Sequence, residues 1–264
     1  MRNDLGRLGT MPIPDPTLRF STRVENYLRF RPGYPRAVLD LLRAECSWTP
    51  ATRVADIASG TGIFTRMLLD NGNQVFGVEP NQQMRQAAEH LLASYPRFVS
   101  VNATAEATTL PDRSVELVTA AQAAHWFDHA RARREFARIL TPGGWVVLLW
   151  NERSTDATPF LRAYEQLLVR YGTDYQQVRH EHTTDTIDAF FHPAPCRKKV
   201  FTLIQEFDYA ALEGRLLSSS YTPLPGHPNH TPMLEELQRI FQAHASAGKV
   251  LMPYHTRVYY GQLT

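Results

Sequence analysis

Cysteine is nearly absent. The 264 residues hold two, Cys46 and Cys196, with no CxxC pair and no histidine at ligand spacing beside either. A disulfide framework and a structural zinc site are therefore not expected. The run His180-Glu181-His182 lacks H-E-x-x-H spacing and reads as a solvated loop, so no metal is expected there either. Charge of one sign is also missing: 28 basic and 26 acidic residues leave +2 with histidines neutral. The basic residues gather only in short groups, Arg131/Arg133/Arg134 and Arg197/Lys198/Lys199, which read as solvated faces. A nucleic-acid or membrane partner is not expected. No run approaches the ~18 apolar residues of a membrane span, and residues 1–17 lack the apolar stretch of a signal peptide. Together these absences point to a cytoplasmic protein. Internal repeats and low-complexity segments are absent as well.

What is present is a core. A hydrophobic fraction of 43% suits a globular chain, and the length suits one α/β domain with a modest helical addition. Residues 1–19, with Pro12, Pro14 and Pro16, read as a loose leader. A first helix is expected over Pro35–Glu45. A strand follows at Arg53–Ile57, then a glycine turn, a helix over Phe64–Asn71 with Gly72 as its left-handed cap, and a strand at Gln74–Glu79. The alternation continues with a helix at Asn81–Ser94 and strands at Phe98–Val101 and Val115–Ala120. A helix at Asp128–Leu140 and an apolar strand at Trp145–Trp150 close this part. Strands alternating with helices, some apolar on both faces, predict a doubly wound, mostly parallel sheet. Beyond Asn151 the rhythm breaks. Helices in residues 155–193 and 207–249, a strand at Val200–Phe207 and a last strand at His255–Leu263 suggest a lid on a single domain spanning residues 1–264. The cofactor-binding core is placed at residues 20–150.

The chemistry centres on Asp56-Ile57-Ala58-Ser59-Gly60-Thr61-Gly62 and on Glu79. A strand delivers the chain into a turn where backbone approaches a ligand, and glycine removes the Cβ that would block it. Glu79 ends the next strand, where a carboxylate overlooks the same crevice and can accept from a ribose diol. A dinucleotide competes for this pattern, but its pyrophosphate calls for G-x-G-x-x-G and a helix N-terminus. Here Thr65 holds the third glycine position and Asp56 brings a negative charge close by. A phosphate-free sulfonium ligand fits better.

These motifs resemble the class I S-adenosylmethionine-dependent methyltransferases, in particular the small-molecule branch that contains trans-aconitate methyltransferase. The matching stretches are Tyr27-Leu28-Arg29-Phe30-Arg31-Pro32-Gly33-Tyr34-Pro35, the Asp56–Gly62 turn, Glu79-Pro80, Ala105-Glu106 before Leu110-Pro111, and Leu140-Thr141-Pro142-Gly143-Gly144. Gln122-Ala123-Ala124-His125-Trp126-Phe127 also resembles the stretch after the fourth strand. The resemblance implies a Rossmann-like sheet of seven strands with the last antiparallel, S-adenosylmethionine as cofactor, and a small-molecule methyl acceptor. It also implies roles. Ala58, Ser59, Gly60 and Gly62 would lie along the methionine and ribose, with Asp56 orienting the loop or reaching the ammonium group through water. Glu79 would hold the ribose hydroxyls, Pro80 and Met84 would border the adenine, and Thr104, Ala105 and Glu106 would approach its edge. Ala121 and Gln122 would meet the amino-acid end, with Tyr27 or Arg31 on its carboxylate. Two departures stand out: Ala58 replaces the first glycine, and Thr104 stands where many relatives carry aspartate. The first is tolerable if residue 58 has negative φ; an alanine at positive φ costs about 1 kcal/mol or more.

Each assignment has a plainer counterpart. Asp56 as a cap for the turn, Met84 as core and His125 as edge packing are the structural alternatives. His125 is the candidate catalytic base, since it follows the strand expected to face the methyl group. At the level of function, a non-catalytic relative that binds the cofactor and an NAD(P)-dependent oxidoreductase are the competing readings.

Overall fold

The computed structural model describes residues 29–178 and 184–263. Tyr27, the leader and the His180–His182 run lie outside them. In chain order the elements are α1 (Arg36–Glu45), β1 (Arg53–Ile57), α2 (Ile63–Asp70), β2 (Gln74–Val78), α3 (Gln82–Leu91), β3 (Phe98–Val101), β4 (Val115–Ala121) and α4 (His129–Ile139). Then come β5 (Leu140–Arg153), α5 (Pro159–Tyr171), α6 (Tyr175–Val178), α7 (Thr184–Phe191), β6 (Arg197–Phe207), α8 (Tyr209–Leu217), α9 (His230–His244) and β7 (Val250–Gln262).

One seven-stranded sheet runs in the order β3-β2-β1-β4-β5-β7-β6, and only β7 is antiparallel to its neighbours. This is the doubly wound sheet that the alternating pattern predicts. Its central strands are covered on both faces, as parallel strands require. Along β5, Val147 and Leu149 pack on one side while Val146, Leu148 and Trp150 pack on the other. In β1, Val54 faces the first side and Ala55 and Ile57 the second. Helices α1, α2 and α3 cover the first face through Val38, Leu42, Phe64, Leu68 and Ala88, and α4 and α7 cover the second through Phe136, Ile139, Phe190 and Phe191.

Local chemistry sets the helix ends. Side-chain oxygens of Asn81 and Asp128 accept from the backbone N–H of Met84 and Arg131, so α3 and α4 start where the capping residues fall. Gly72 turns the chain after α2 at φ +92°.

The structure departs from the expected pattern in three places. Strand β5 begins at Leu140, because Leu140 already pairs with Val115 across an irregularity in the ladder. Strand β7 begins at Val250 instead of His255. Its first residues, Val250–Pro253, pair only with β6 (Ile204–Phe207), whereas the β5 ladder stops at Arg153↔Tyr254. A two-stranded ribbon therefore overshoots the carboxyl end of β5. Helices α5, α8 and α9 pack on that ribbon, with Tyr164, Leu168, Leu212, Met233 and Leu237 around Met252 and Tyr254. Finally, the 155–193 segment divides: α5 joins this helical cap, whereas α7 packs against the main sheet.

Candidate cofactor site at the carboxyl ends of the strands

Chain connections from β1 and β4 lead away in opposite directions, so a crevice opens above their carboxyl ends. Here the structure places a solvent-open cleft, at the position where open α/β sheets bind small ligands. Arg31, Asp56, Ala58, Ser59, Gly60, Ala121 and Gln122, all expected at the site from sequence, share its walls.

The loop after β1 alternates hands. Ala58, Gly60 and Gly62 have φ of +52°, +58° and +85°. Ala58 thus adopts the left-handed conformation, the costly one of the two weighed for an alanine at this position. Residue 122 does the same at the end of β4, with φ +62°. The two glycines serve different purposes. A Cβ on Gly60 would meet nothing within 4 Å, whereas one on Gly62 would come within 2.8 Å of Leu92 Cδ1. Gly60 leaves open space beside the cleft. Gly62 is glycine so that the turn can pack against the end of α3.

Asp56 is 1% exposed. Its Oδ2 accepts from the Thr65 hydroxyl at 2.6 Å and its Oδ1 from the Thr119 hydroxyl at 2.8 Å; the Thr65 backbone N–H also donates to it. Thr119 is its register partner across β1 and β4. Burial outweighs these donors and pushes the carboxyl up to about 6. The side chain braces strand, neighbouring strand and helix.

Glu79, at the end of β2, is also buried. Its Oε2 accepts from the Gly60 N–H at 2.9 Å and its Oε1 from the Asn81 N–H at 2.8 Å. Burial raises its pKa while these two N–H donors and the nearby Arg85 oppose the shift. Arg85, which sequence reasoning passed over, donates through Nη1 to the carbonyls of Glu79 and Pro80 and to Asn102 Oδ1. It clamps the turn that presents Glu79.

The expected adenine-side residues lie apart from the cleft walls. Met84 is 4% exposed, and Thr104 is exposed in a small turn closed by its bridge to Ala107. Ala105 is buried, and Glu106 accepts from the Asp128 N–H at 3.0 Å, fastening the turn to the start of α4. His125 sits in a single 3-10 turn, Ala124–Trp126, with Nδ1 accepting from the indole N–H of Trp150.

The cleft also contains residues that the sequence did not single out. Asn151 follows the apolar run of β5, donating to Gly33 O while accepting from Thr256. Thr61 has a buried hydroxyl with no partner among the described residues. Arg215 reaches the cleft from α8 in the helical cap. Arg31 donates to the carbonyl of Ser218, the residue after α8, at 3.0 Å, and Phe30 packs on Gly214, where a Cβ would fall 2.1 Å from its ring. The Arg29–Pro35 stretch and the cap are thus seated on each other.

The chain is similar to known proteins in sequence and fold. Residues 55–148 match the methyltransferase domain family. An uncharacterized methyltransferase of Mycobacterium tuberculosis (strain H37Rv) is 39% identical over 158 residues, which is 60% of this chain and 62% of that protein. A solved structure from Anaeromyxobacter dehalogenans, assigned provisionally as a type II methyltransferase, superposes with a TM-score of 0.64 at 22% identity, covering 88% of this chain and 98% of that one. Haemonchus contortus phosphoethanolamine N-methyltransferase 2, solved with S-adenosyl-L-methionine, gives 0.56 at 14% identity over 94% of this chain and 58% of that one. The matched stretch, from Ala55 to Leu148, carries the glycine loop, Glu79 and the central strands, and the chain spans less than two thirds of the length of that mycobacterial relative.

Proposed function

We propose that the protein is an S-adenosylmethionine-dependent methyltransferase acting on a small molecule. One observation carries the reading: Glu79, at the end of β2, is bonded to the Gly60 N–H of the loop that ends β1. Each Glu79 oxygen has one backbone donor and keeps a second lone pair for a hydroxyl. The open space beside Gly60 and the orphan Thr61 hydroxyl suit a ligand with polar groups close to backbone. Thr65, at the place where a dinucleotide fingerprint needs glycine, is committed to Asp56. That argues against a nicotinamide cofactor.

When bound, S-adenosylmethionine supplies a methyl group on a positively charged sulfur. The chain supplies binding, alignment and dryness. Ser59, Gly60 and Gln122 line the cleft beside the methionine and ribose portions, Glu79 holds the ribose hydroxyls, and Arg31 serves the carboxylate. Pro80, Met84, Thr104, Ala105 and Glu106 form the adenine side. The helical cap, carried on the β6–β7 ribbon over the strand ends, acts as the lid and excludes water. Positioning of this kind contributes on the order of 7–11 kcal/mol. The acceptor is a small nucleophile, and the resemblance to the trans-aconitate branch favours a carboxylate oxygen. An ionised carboxylate needs no base.

Thermal unfolding with S-adenosylmethionine, S-adenosylhomocysteine, NADH and NADPH tests the reading. Either sulfur ligand at about 100 times its dissociation constant contributes about 2.7 kcal/mol, and the nicotinamides contribute nothing. Stabilisation by NADH with no response to the sulfur compounds would overturn it. Formation of S-adenosylhomocysteine with a mixture of acceptors separates turnover from binding alone.

A further inference from the structure

Two arginines sit in the helical cap and its junction with the sheet, one half-buried and one buried, and their surroundings differ. Arg153 is ion-paired with Glu165, is bonded to the Tyr175 hydroxyl and lies over the Tyr164 ring. Arg215 is 7% exposed and has hydroxyls alone around it: Tyr254 at 3.2 Å, Ser219 at 3.0 Å and Ser218 at 3.5 Å. Among the described residues no carboxylate lies within ion-pair distance of it. Burying a guanidinium without a counter-charge is costly, and neutral hydroxyls offset only part of that cost.

The cleft shows what the missing charge is for. Arg31 and Arg215 both line it, and among the described residues of its walls Asp56 is the one carboxylate, already held by Thr65 and Thr119. On the methyltransferase reading, on which this inference rests, the cofactor adds a sulfonium, an ammonium and one carboxylate. Its single carboxylate matches one arginine; counting Asp56 and Glu79 as ionised against Arg31, Arg215, the sulfonium and the ammonium, the filled site still has one positive charge in excess. We propose that Arg215 binds an anionic group of the methyl acceptor, a carboxylate or a phosphate, while Arg31 takes the carboxylate of the cofactor. The planar fork of Arg215 suits two oxygens of such a group. The residue stands on α8, so the acceptor is read by the cap and not by the sheet.

Calorimetry on the protein loaded with S-adenosylhomocysteine tests this, using succinate, citrate and inorganic phosphate as probes and succinamide as the uncharged control. At least one anion binds the loaded wild-type protein, and succinamide does not. Arg215→Gln weakens that anion tenfold or more, Arg215→Lys recovers part of the loss, and both variants hold S-adenosylhomocysteine within threefold of wild type. Citrate or succinate against phosphate tells which kind of anion the site takes. A tenfold loss of S-adenosylhomocysteine affinity in folded Arg215→Lys would overturn the proposal, because Arg215 would then serve the cofactor. So would the absence of anion binding to the loaded wild type, or equal binding to Arg215→Gln. Failure of S-adenosylhomocysteine to bind the wild type is a different result: it overturns the methyltransferase reading itself, and the acceptor site with it.

Discussion

The indole N–H of Trp150 points at Nδ1 of His125 over 3.3 Å. Indole nitrogen is only a donor, so Nδ1 must accept, and the neutral imidazole carries its proton on Nε2. In this arrangement Nδ1 is engaged with the indole. His125, the expected base, also lies beside Trp126, with ring centroids 4.7 Å apart.

His125→Ala is therefore expected to change turnover by less than about tenfold, well below the 10²–10⁴-fold of a lost base. The rate stays nearly flat from pH 6 to 8, since carboxylate acceptors titrate near 4. Steady-state kinetics over that range decide the matter. A loss of 10²-fold or more with cofactor affinity intact would show a protonated acceptor that needs His125.

The two glycines of the loop separate ligand contact from packing. Gly60→Ala adds a methyl where nothing stands within 4 Å. The fold loses only about 1–2 kcal/mol of left-handed strain, while affinity for S-adenosylhomocysteine falls tenfold or more. Gly62→Ala meets Leu92 Cδ1 at 2.8 Å and loses more stability than Gly60→Ala. Denaturant melts and calorimetry on both variants check this, and equal cofactor affinity in Gly60→Ala and wild type would remove residue 60 from the site.

Ala58 holds a φ of +52° that glycine adopts freely. Ala58→Gly relieves about 1–2 kcal/mol of strain and returns about 0.4–1 kcal/mol to the unfolded chain. The expected net gain is about 0–1.6 kcal/mol, at about 2–4 °C in melting temperature for each kcal/mol. A lower melting temperature would show that the Ala58 methyl contributes more by packing than its backbone costs.

Asp56 links stability to pH. Its carboxyl is pushed up to about 6 in the folded protein from 3.8 when unperturbed, so between those values the folded state holds the proton more tightly. The stability from this group is present at low pH and is lost as pH rises through 6. Asp56→Asn keeps both threonine hydroxyls paired, because an amide accepts at one atom and donates at the other. The variant is expected to gain on the wild type by up to about 3 kcal/mol between pH 4 and 7. Urea midpoints of the ligand-free proteins at several pH values test this; a difference that does not vary with pH would refute it.

Much of the sheet was legible because its central strands are short apolar runs ended by turn residues. Arg53–Ile57 and Phe98–Val101 match their predicted limits residue for residue, since Gly, Asn and Pro close both sides. The overshooting start of β7 was hidden. Val250–Pro253 alternates weakly and includes a proline, and its strand character comes from pairing with β6 alone. At the site, Asp56 and Glu79 were visible as acids at strand ends, but what they bond was not. The Thr119 partner of Asp56 comes from a strand 63 residues away. Arg85 and Arg215 left no signal at all. An arginine on a helix reads as solvated until tertiary packing shows which carbonyls or hydroxyls surround it.

The place of β7 bears on the order in which the molecule can be made. It is the last of the seven strands to leave the ribosome, yet it fills the slot between β5 and β6. Until residues 250–262 are synthesised, β5 presents a bare edge of unpaired amides and β6 has no strand beside it. The first five strands can assemble early around the glycine loop, but the cap has no ribbon to rest on. A nascent chain of this design is most prone to edge-to-edge association in that interval.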